Sequence, residues 1–227
     1  MENDDRTKRI SQAAIGEEEN LPDFYEAASL VARGVLESSQ KIAGTTYCKG
    51  VQIVALAKWA KSNGAWFEDT GVLGKFSDRG SENEVYVSSS GNTIFKLNDF
   101  RYSDDNLTAF FNRLEAHNHY FPDCGYRLIG FAENQEGKTC AVLAQPFIVA
   151  EREATAEEIR VELQLLGFRE ELGGEYFTNG THDIFDALPN NVLMGVDGRL
   201  YFIDTIIYLS SETTLDTYRS LSPRYSK

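Results

Sequence analysis

The sequence predicts an α+β chain: a five-stranded antiparallel sheet plus one helix, a helical extension ahead of it and a smaller, reduced lobe behind it. Three observations carry that expectation. Short β-rich runs separated by turn residues begin at Phe67. Apolar residues recur at helical spacing before those runs and once among them. A capped helix and an Asp-Gly hairpin follow.

Residues 1–22 are polar and acidic with almost no large apolar side chains, and are expected to stay mobile. Over 23–65, Phe24, Ala28, Val31 and Val35 set one helical stripe, and Ile53, Leu56, Ala57 and Ala60 a second that stops at Asn63-Gly64. Region 66–148 holds the expected strands: Val72 to Phe76, Glu84 to Ser88, Asn92 to Leu97, Tyr126 to Phe131 and Thr139 to Ile148. Ser90-Gly91 and Glu136-Gly137 turn between neighbouring runs, so the sheet reads as hairpins. Between the third and fourth runs, Leu107, Phe110, Phe111 and Leu114 share one face of a helix that begins after Ser103-Asp104-Asp105 and must end before Pro122. In 149–227, Thr155 and Glu158 have the spacing of a capping box, and the helix they open closes near Gly167.

Composition narrows the function classes. With 227 residues, 42% hydrophobic, the chain can bury a core in one domain or two small lobes. A net charge of −13 argues against nucleic-acid or anionic-membrane partners, which need clustered Lys and Arg. Cys48, Cys124 and Cys140 have no metal-ligand spacing and read as reduced, buried thiols of a cytoplasmic protein. The first residues are acidic where a secretory signal would be basic, and no apolar run approaches the roughly 20 residues that span a bilayer.

Two apolar runs, from Asn191 and up to Asp204, meet at Asp197-Gly198, a strong hairpin signal. If those two residues form the loop, Val196 faces Arg199 and Asn191 faces Asp204. Directly opposed residues have Cβ atoms roughly 4.5–5.5 Å apart, so the pair is either an ordinary polar pair at a sheet end or two ligands of one hard cation. A bulge at Gly195 would shift the register.

The run Asp186-Ala187-Leu188-Pro189-Asn190-Asn191-Val192-Leu193 resembles the catalytic loop of protein kinases, D-x-x-x-x-N before an apolar strand. Phe202-Ile203-Asp204 resembles the strand that ends in their metal-binding Asp. Thr93-Ile94-Phe95-Lys96 resembles the strand whose Lys holds nucleotide phosphates, and Glu115 stands where a helical partner for Lys96 is needed. Read alone, Lys96 is equally a solvated strand residue, and Glu115 equally a partner of Arg113 or of water. At the glycine-rich loop only Gly80 is in place; Gly80-Ser81 and the residues after them form either a phosphate-covering turn or a plain hairpin. Ala144-Gln145-Pro146-Phe147 occupies the hinge position, where Gln145 C=O and Phe147 N–H would hold adenine.

Taken together, from about Gly71 to Asp204, the chain is most similar to the Ser/Thr/Tyr kinase-like domain of polyvalent proteins from phages and conjugative elements. Q-P-F-I, A-T-A-E-E-I, L-G-F, D-x-x-x-x-N-V-L and D-G-x-x-x-F-I-D occur here in that family's order, the last at Asp197 to Asp204. The resemblance implies a bilobal kinase-like fold, ATP and Mg²⁺. Asp186 would be the catalytic base, Lys96 the phosphate ligand oriented by Glu115, and Asn191 with Asp204 the metal ligands. Ile184-Phe185 replace His-Arg, Thr205-Ile206 replace Phe-Gly, and Leu188 stands where many protein kinases place a Lys. Little sequence follows Asp204, so a peptide-gripping platform is not expected. The acceptor is thus a protein hydroxyl or a small molecule; a pseudokinase that binds nucleotide or a partner, or a plain α+β interaction domain, would transfer nothing.

Overall fold

The computed structural model describes residues 21–43, 48–103, 105–174, 176–211 and 216. Most of the segment expected to be mobile, residues 1–20, lies outside them. The chain divides into two compact units, Met1–Leu114 with Asp123–Phe147, and Glu115–Pro122 with Ile148–Lys227.

In the first unit, helices α1 (Tyr25–Ala43) and α2 (Lys49–Asn63) form the expected pair. Gly64 ends α2 in the left-handed region at φ 70°, and its N–H caps Ala60 C=O. Buried Gln52 ties the pair to the rest: its Nε2 donates to Ala32 C=O at 2.8 Å and its Oε1 accepts from Leu107 N–H at 2.8 Å. Both side-chain hydrogen bonds of Gln52 therefore go to backbone groups.

The sheet has six strands, not five, in the order β1 (Trp66–Phe67), β5 (Arg127–Glu133), β6 (Thr139–Pro146), β4 (Thr93–Asn98), β3 (Asn83–Val87), β2 (Lys75–Arg79). It is also not wholly antiparallel, because β1 joins β5 in parallel. The first expected strand is displaced as well: Thr70–Leu73 form a 3₁₀ turn capped by Asp69, and extended chain starts only at Lys75. Asp69 wins because its carboxylate accepts the Gly71 N–H at 2.8 Å, offering the backbone a turn in place of a ladder.

Strand alternation gives the sheet two unlike faces. Phe95 and Leu97 of β4 join Tyr86 and Val142 in one buried cluster. Leu143 and Ala141 point the other way, into a cluster with α1, α2 and helix α3 (Thr108–Tyr120). Leu107, Phe110, Phe111 and Leu114 are all buried there, as their spacing requires. Cys48, Cys124 and Cys140 are free and buried.

Gly130 makes the parallel edge possible. A β-bulge sits at this point of β5, and a Cβ on Gly130 would lie 2.5 Å from Ala65 O and 2.8 Å from the Phe67 ring. That carbonyl accepts the Phe131 N–H at 2.8 Å, so the backbones must approach this closely. Gly130→Ala is expected to cost about 2–3 kcal/mol through overpacking, read as a lowered urea midpoint at unchanged slope.

In the second unit, strand β7 (Ala150–Glu153) leads into helix α4 (Ala156–Leu165). Thr155 and Glu158 complete the capping box reciprocally, and Gly167 at φ 87° follows the helix end. Strands β8 (Arg169–Glu171), β9 (Tyr176–Thr178), β10 (His182–Phe185) and β13 (Ile206–Leu209) form a four-stranded sheet. β7, β11 (Val192–Gly195) and β12 (Leu200–Phe202) form a three-stranded one. The last turns of α3, from Glu115 on, belong to this unit.

The β11–β12 register differs by one residue from the expected one. Val192 pairs with Phe202 and Met194 with Leu200, so Asn191 stands opposite Ile203 rather than Asp204. Gly195 N–H donates to Arg199 C=O at 2.9 Å, and Gly198 N–H to Gly195 C=O at 2.9 Å with φ 80° at Gly198. This is a three-residue loop with glycine in the left-handed position, not the two-residue turn. Asp197 favours it by accepting from Arg199 N–H, Arg199 Nε and Tyr201 Oη, which hold its carboxyl down at about 2.

Candidate functional site

The second unit gathers three of the expected site residues. β10 delivers Asp186, the first residue beyond its end, at φ 58°. Aspartate is among the few residues that tolerate this left-handed conformation, which turns its carboxylate out of the strand direction. Ala187 is buried, Leu188 is exposed, and Pro189–Asn191 form one 3₁₀ turn with proline in its first position. That turn brings Asn191 back over Asp186, and Asn191 Nδ2 donates to Asp186 C=O at 2.8 Å.

The Asn191 amide is thereby oriented. Its nitrogen is spent on Asp186, and its Oδ1 accepts from Asn190 Nδ2 at 2.8 Å while keeping a second lone pair. The backbone of Asn191 has its own task, since its C=O accepts the Ile203 N–H at 2.9 Å. Asp204 follows directly, exposed, at the end of the hairpin. The one-residue register shift moves Asp204 off the direct cross-strand position.

Asp186 is exposed, yet its carboxyl senses the protein around it, the Asp204 charge included. Desolvation raises the Asp186 pKa, the Asn191 side chain opposes the rise, and the Asp204 charge adds to it. Two carboxylates that repel, beside one amide oxygen, are hard donors suited to a divalent cation. Among the described residues no three or more His, Cys, Asp or Glu side chains converge as metal ligands. A donor set this sparse fits Mg²⁺, which keeps most of its sphere for water and phosphate oxygens.

The remaining expected residues lie in the first unit, except Glu115. Lys96 is buried at 6% exposure on the face of β4 shared with Leu143, and its Nζ is 3.2 Å from Tyr126 Oη. It does not point into bulk water. On the same face β3 and β4 expose the edges of Val85, Val87 and Ile94, opposite one another across the ladder. Val87 carried no motif, and Ile94 only a place in the Thr93–Lys96 run; their period-two spacing from Val85 and Lys96 was the signal available. Glu115 is an exposed residue of the second unit, not a carboxylate turned into a core. Arg113 instead pairs with Glu82, at 2.8 Å from Nη2.

One nucleotide contact expected from the sequence is spent otherwise. Phe147 N–H donates to Asn92 C=O at 2.9 Å, because the β4–β6 ladder runs on through Thr93 and Pro146. Gln145, expected to offer its backbone C=O, is buried and anchored through its side chain, Nε2 donating to Cys124 C=O at 2.6 Å. At the glycine-loop position Gly80 N–H closes a tight hairpin on Asn83 C=O at 2.8 Å; Gly80 and Ser81 are exposed, and the tip carries the acidic Glu82.

His117 lies near the end of α3. Buried at 2%, it meets Phe202 C=O through Nε2 at 2.8 Å; a carbonyl only accepts, so Nε2 carries the proton. His182, at the start of β10, takes Tyr120 Oη on Nδ1 at 3.1 Å, and burial lowers its pKa.

Neither the curated proteins nor the solved structures contain a match to this chain. A family model does match, over residues 49–211, and its description is Serine/Threonine/Tyrosine Kinase found in polyvalent proteins. The matched span contains Lys96, Asp186, Asn191 and Asp204, and the chain belongs to this kinase family.

Proposed function

We propose that the chain is an ATP- and Mg²⁺-dependent phosphotransferase acting on a hydroxyl group, with a protein Ser, Thr or Tyr as the first choice of acceptor. The observation that carries this reading is the Asp186–Asn191 clasp: a left-handed Asp whose carbonyl accepts from Asn191 Nδ2, with its pKa raised by desolvation and by the charge of Asp204. Phosphoryl transfer asks mainly for positioning and charge compensation; this group would position the acceptor and hold the cation that compensates the charge.

Asp186 accepts the proton of the acceptor hydroxyl, or orients it. Asn191 Oδ1 and Asp204 hold Mg²⁺, which screens the charge on the phosphate oxygens. Lys96 binds the α and β phosphates. Val85, Val87 and Ile94 offer the apolar surface on which a base would lie. Because Phe147 N–H is engaged, the hinge contact passes to Pro146 C=O, which in its register opposite Thr93 faces away from β4. A bilobal arrangement, a cytoplasmic location and residence on a mobile element belong to this proposal too. Among the described residues no helix is long and apolar enough to cross a membrane.

Leu188 and the Glu82 hairpin tip favour a second reading, a nucleotide-binding module without turnover, since neither residue can hold a phosphate. One experiment separates them. Mg·ATP is expected to raise Tm, and Lys96→Met to abolish most of the rise, whichever reading holds. Labelled phosphate transferred from ATP to the chain itself or to an added protein supports the enzyme. A thermal shift with no transfer supports the module. No shift at all sinks both.

A further inference from the structure

Resting on the phosphotransferase reading, we propose that His117 is a positioning residue for the metal-binding carboxylate: it fixes the peptide group one residue ahead of Asp204. The Phe202–Ile203 peptide is held at both ends. Its C=O accepts from His117 Nε2 at 2.8 Å, and its N–H donates to Asn191 C=O at 2.9 Å. A peptide unit is planar, so two hydrogen bonds on opposite edges set its orientation and leave only the torsions of Ile203 between it and Asp204. The Phe121 ring, four residues beyond His117 in the chain, stacks on Phe202 with centroids 4.1 Å apart and planes 8° from parallel. The same end of α3 therefore grips the residue through its backbone and its side chain.

The partner on the other edge is itself part of the site. Asn191 holds Asp186 through Nδ2 and the Phe202–Ile203 peptide through its C=O. His117 is thus the outside support of a run of hydrogen bonds that passes from helix to metal ligand to base. It touches neither nucleotide nor metal, and its effect is on the geometry of Asp204. Supports of this kind typically change metal affinity by about 10–100-fold when removed.

The test uses the full chain and isothermal titration of Mg²⁺ in the presence of a non-hydrolysable ATP analogue, with analogue binding in EDTA measured beside it. His117→Leu is expected to weaken Mg²⁺ by about 10-fold or more, with metal-free analogue binding within twofold of the parent. His117→Gln, whose amide N–H can reach the same carbonyl, is expected to recover most of the loss. Phe121→Leu provides a second variant, expected to weaken Mg²⁺ in the same direction by less. Unchanged Mg²⁺ affinity in folded His117→Leu, or equal losses in the Leu and Gln variants, would overturn the proposal. If His117→Leu does not fold, unchanged Mg²⁺ affinity in Phe121→Leu overturns it and weakened affinity supports it. A parent chain that binds no Mg²⁺ with the analogue sinks the phosphotransferase reading itself, and this inference with it.

Discussion

Asp186→Asn is expected to lower kcat by about 10²–10⁴-fold while leaving Mg·ATP binding in place. Asparagine is the substitution to use because it shares with aspartate a tolerance for the left-handed backbone that Asp186 adopts at φ 58°. It keeps the backbone C=O for Asn191 Nδ2 and removes only the proton acceptor. Stability should not fall with activity. Desolvation and the Asp204 charge raise the Asp186 pKa, so the fold favours its neutral form. A carboxyl raised in the folded state contributes stability that is complete below its unfolded pKa, roughly 3.9, and is lost as pH rises through the folded value. At pH 7 the charged Asp186 is therefore a cost to folding, and the neutral amide relieves it. Urea unfolding at pH 7 should give an equal or higher midpoint for the variant. A loss of activity accompanied by a loss of stability would mean that the residue serves the fold, not the chemistry. The same raised pKa places the acid limb of the parent's kcat profile above the ordinary aspartate range, with activity growing as Asp186 loses its proton.

Asp204→Asn should cost about 10²–10³-fold in turnover, for a different reason and with a different signature. The amide keeps the shape and loses the charge that a divalent cation needs, so excess Mg²⁺ should restore part of the rate; it should restore none in Asp186→Asn. Removing the Asp204 charge also removes one of the two causes that raise Asp186. The acid limb should accordingly move to lower pH in Asp204→Asn. A profile that stays where it was would show that the two carboxylates do not sense each other, and the site as described would fail.

Much of this arrangement was legible in the residues. The period-two runs of β3 to β6, the apolar face of α3, the Thr155–Glu158 box and the Gly64 stop each follow from a local rule, and each appears where that rule puts it. The D-x-x-x-x-N spacing found Asp186 and Asn191 because a single proline-started turn returns the second to the first. What escaped had non-local causes. Trp66–Phe67 is too short to show a period, and its place in the sheet depends on a glycine far along the chain, Gly130. The hairpin slipped by one because Asp197 gathers three donors at the loop, an energy that the Asp-Gly rule does not contain. Phe147 was assigned to a ligand, yet its N–H completes a ladder whose last rung no side-chain pattern marks. His117 left no pattern at all, since its partner is a backbone carbonyl 85 residues away.

Asn191 has a consequence for regulation. One residue clasps the acid that would take the proton and the strand that delivers the acid for the metal, using side chain for the first and backbone for the second. The two hydrogen bonds that would space a proton acceptor from a cation ligand both lie within the second unit. In the proposed kinase, control would then act on the arrival of nucleotide or acceptor and not on the pairing of Asp186 with Asn191.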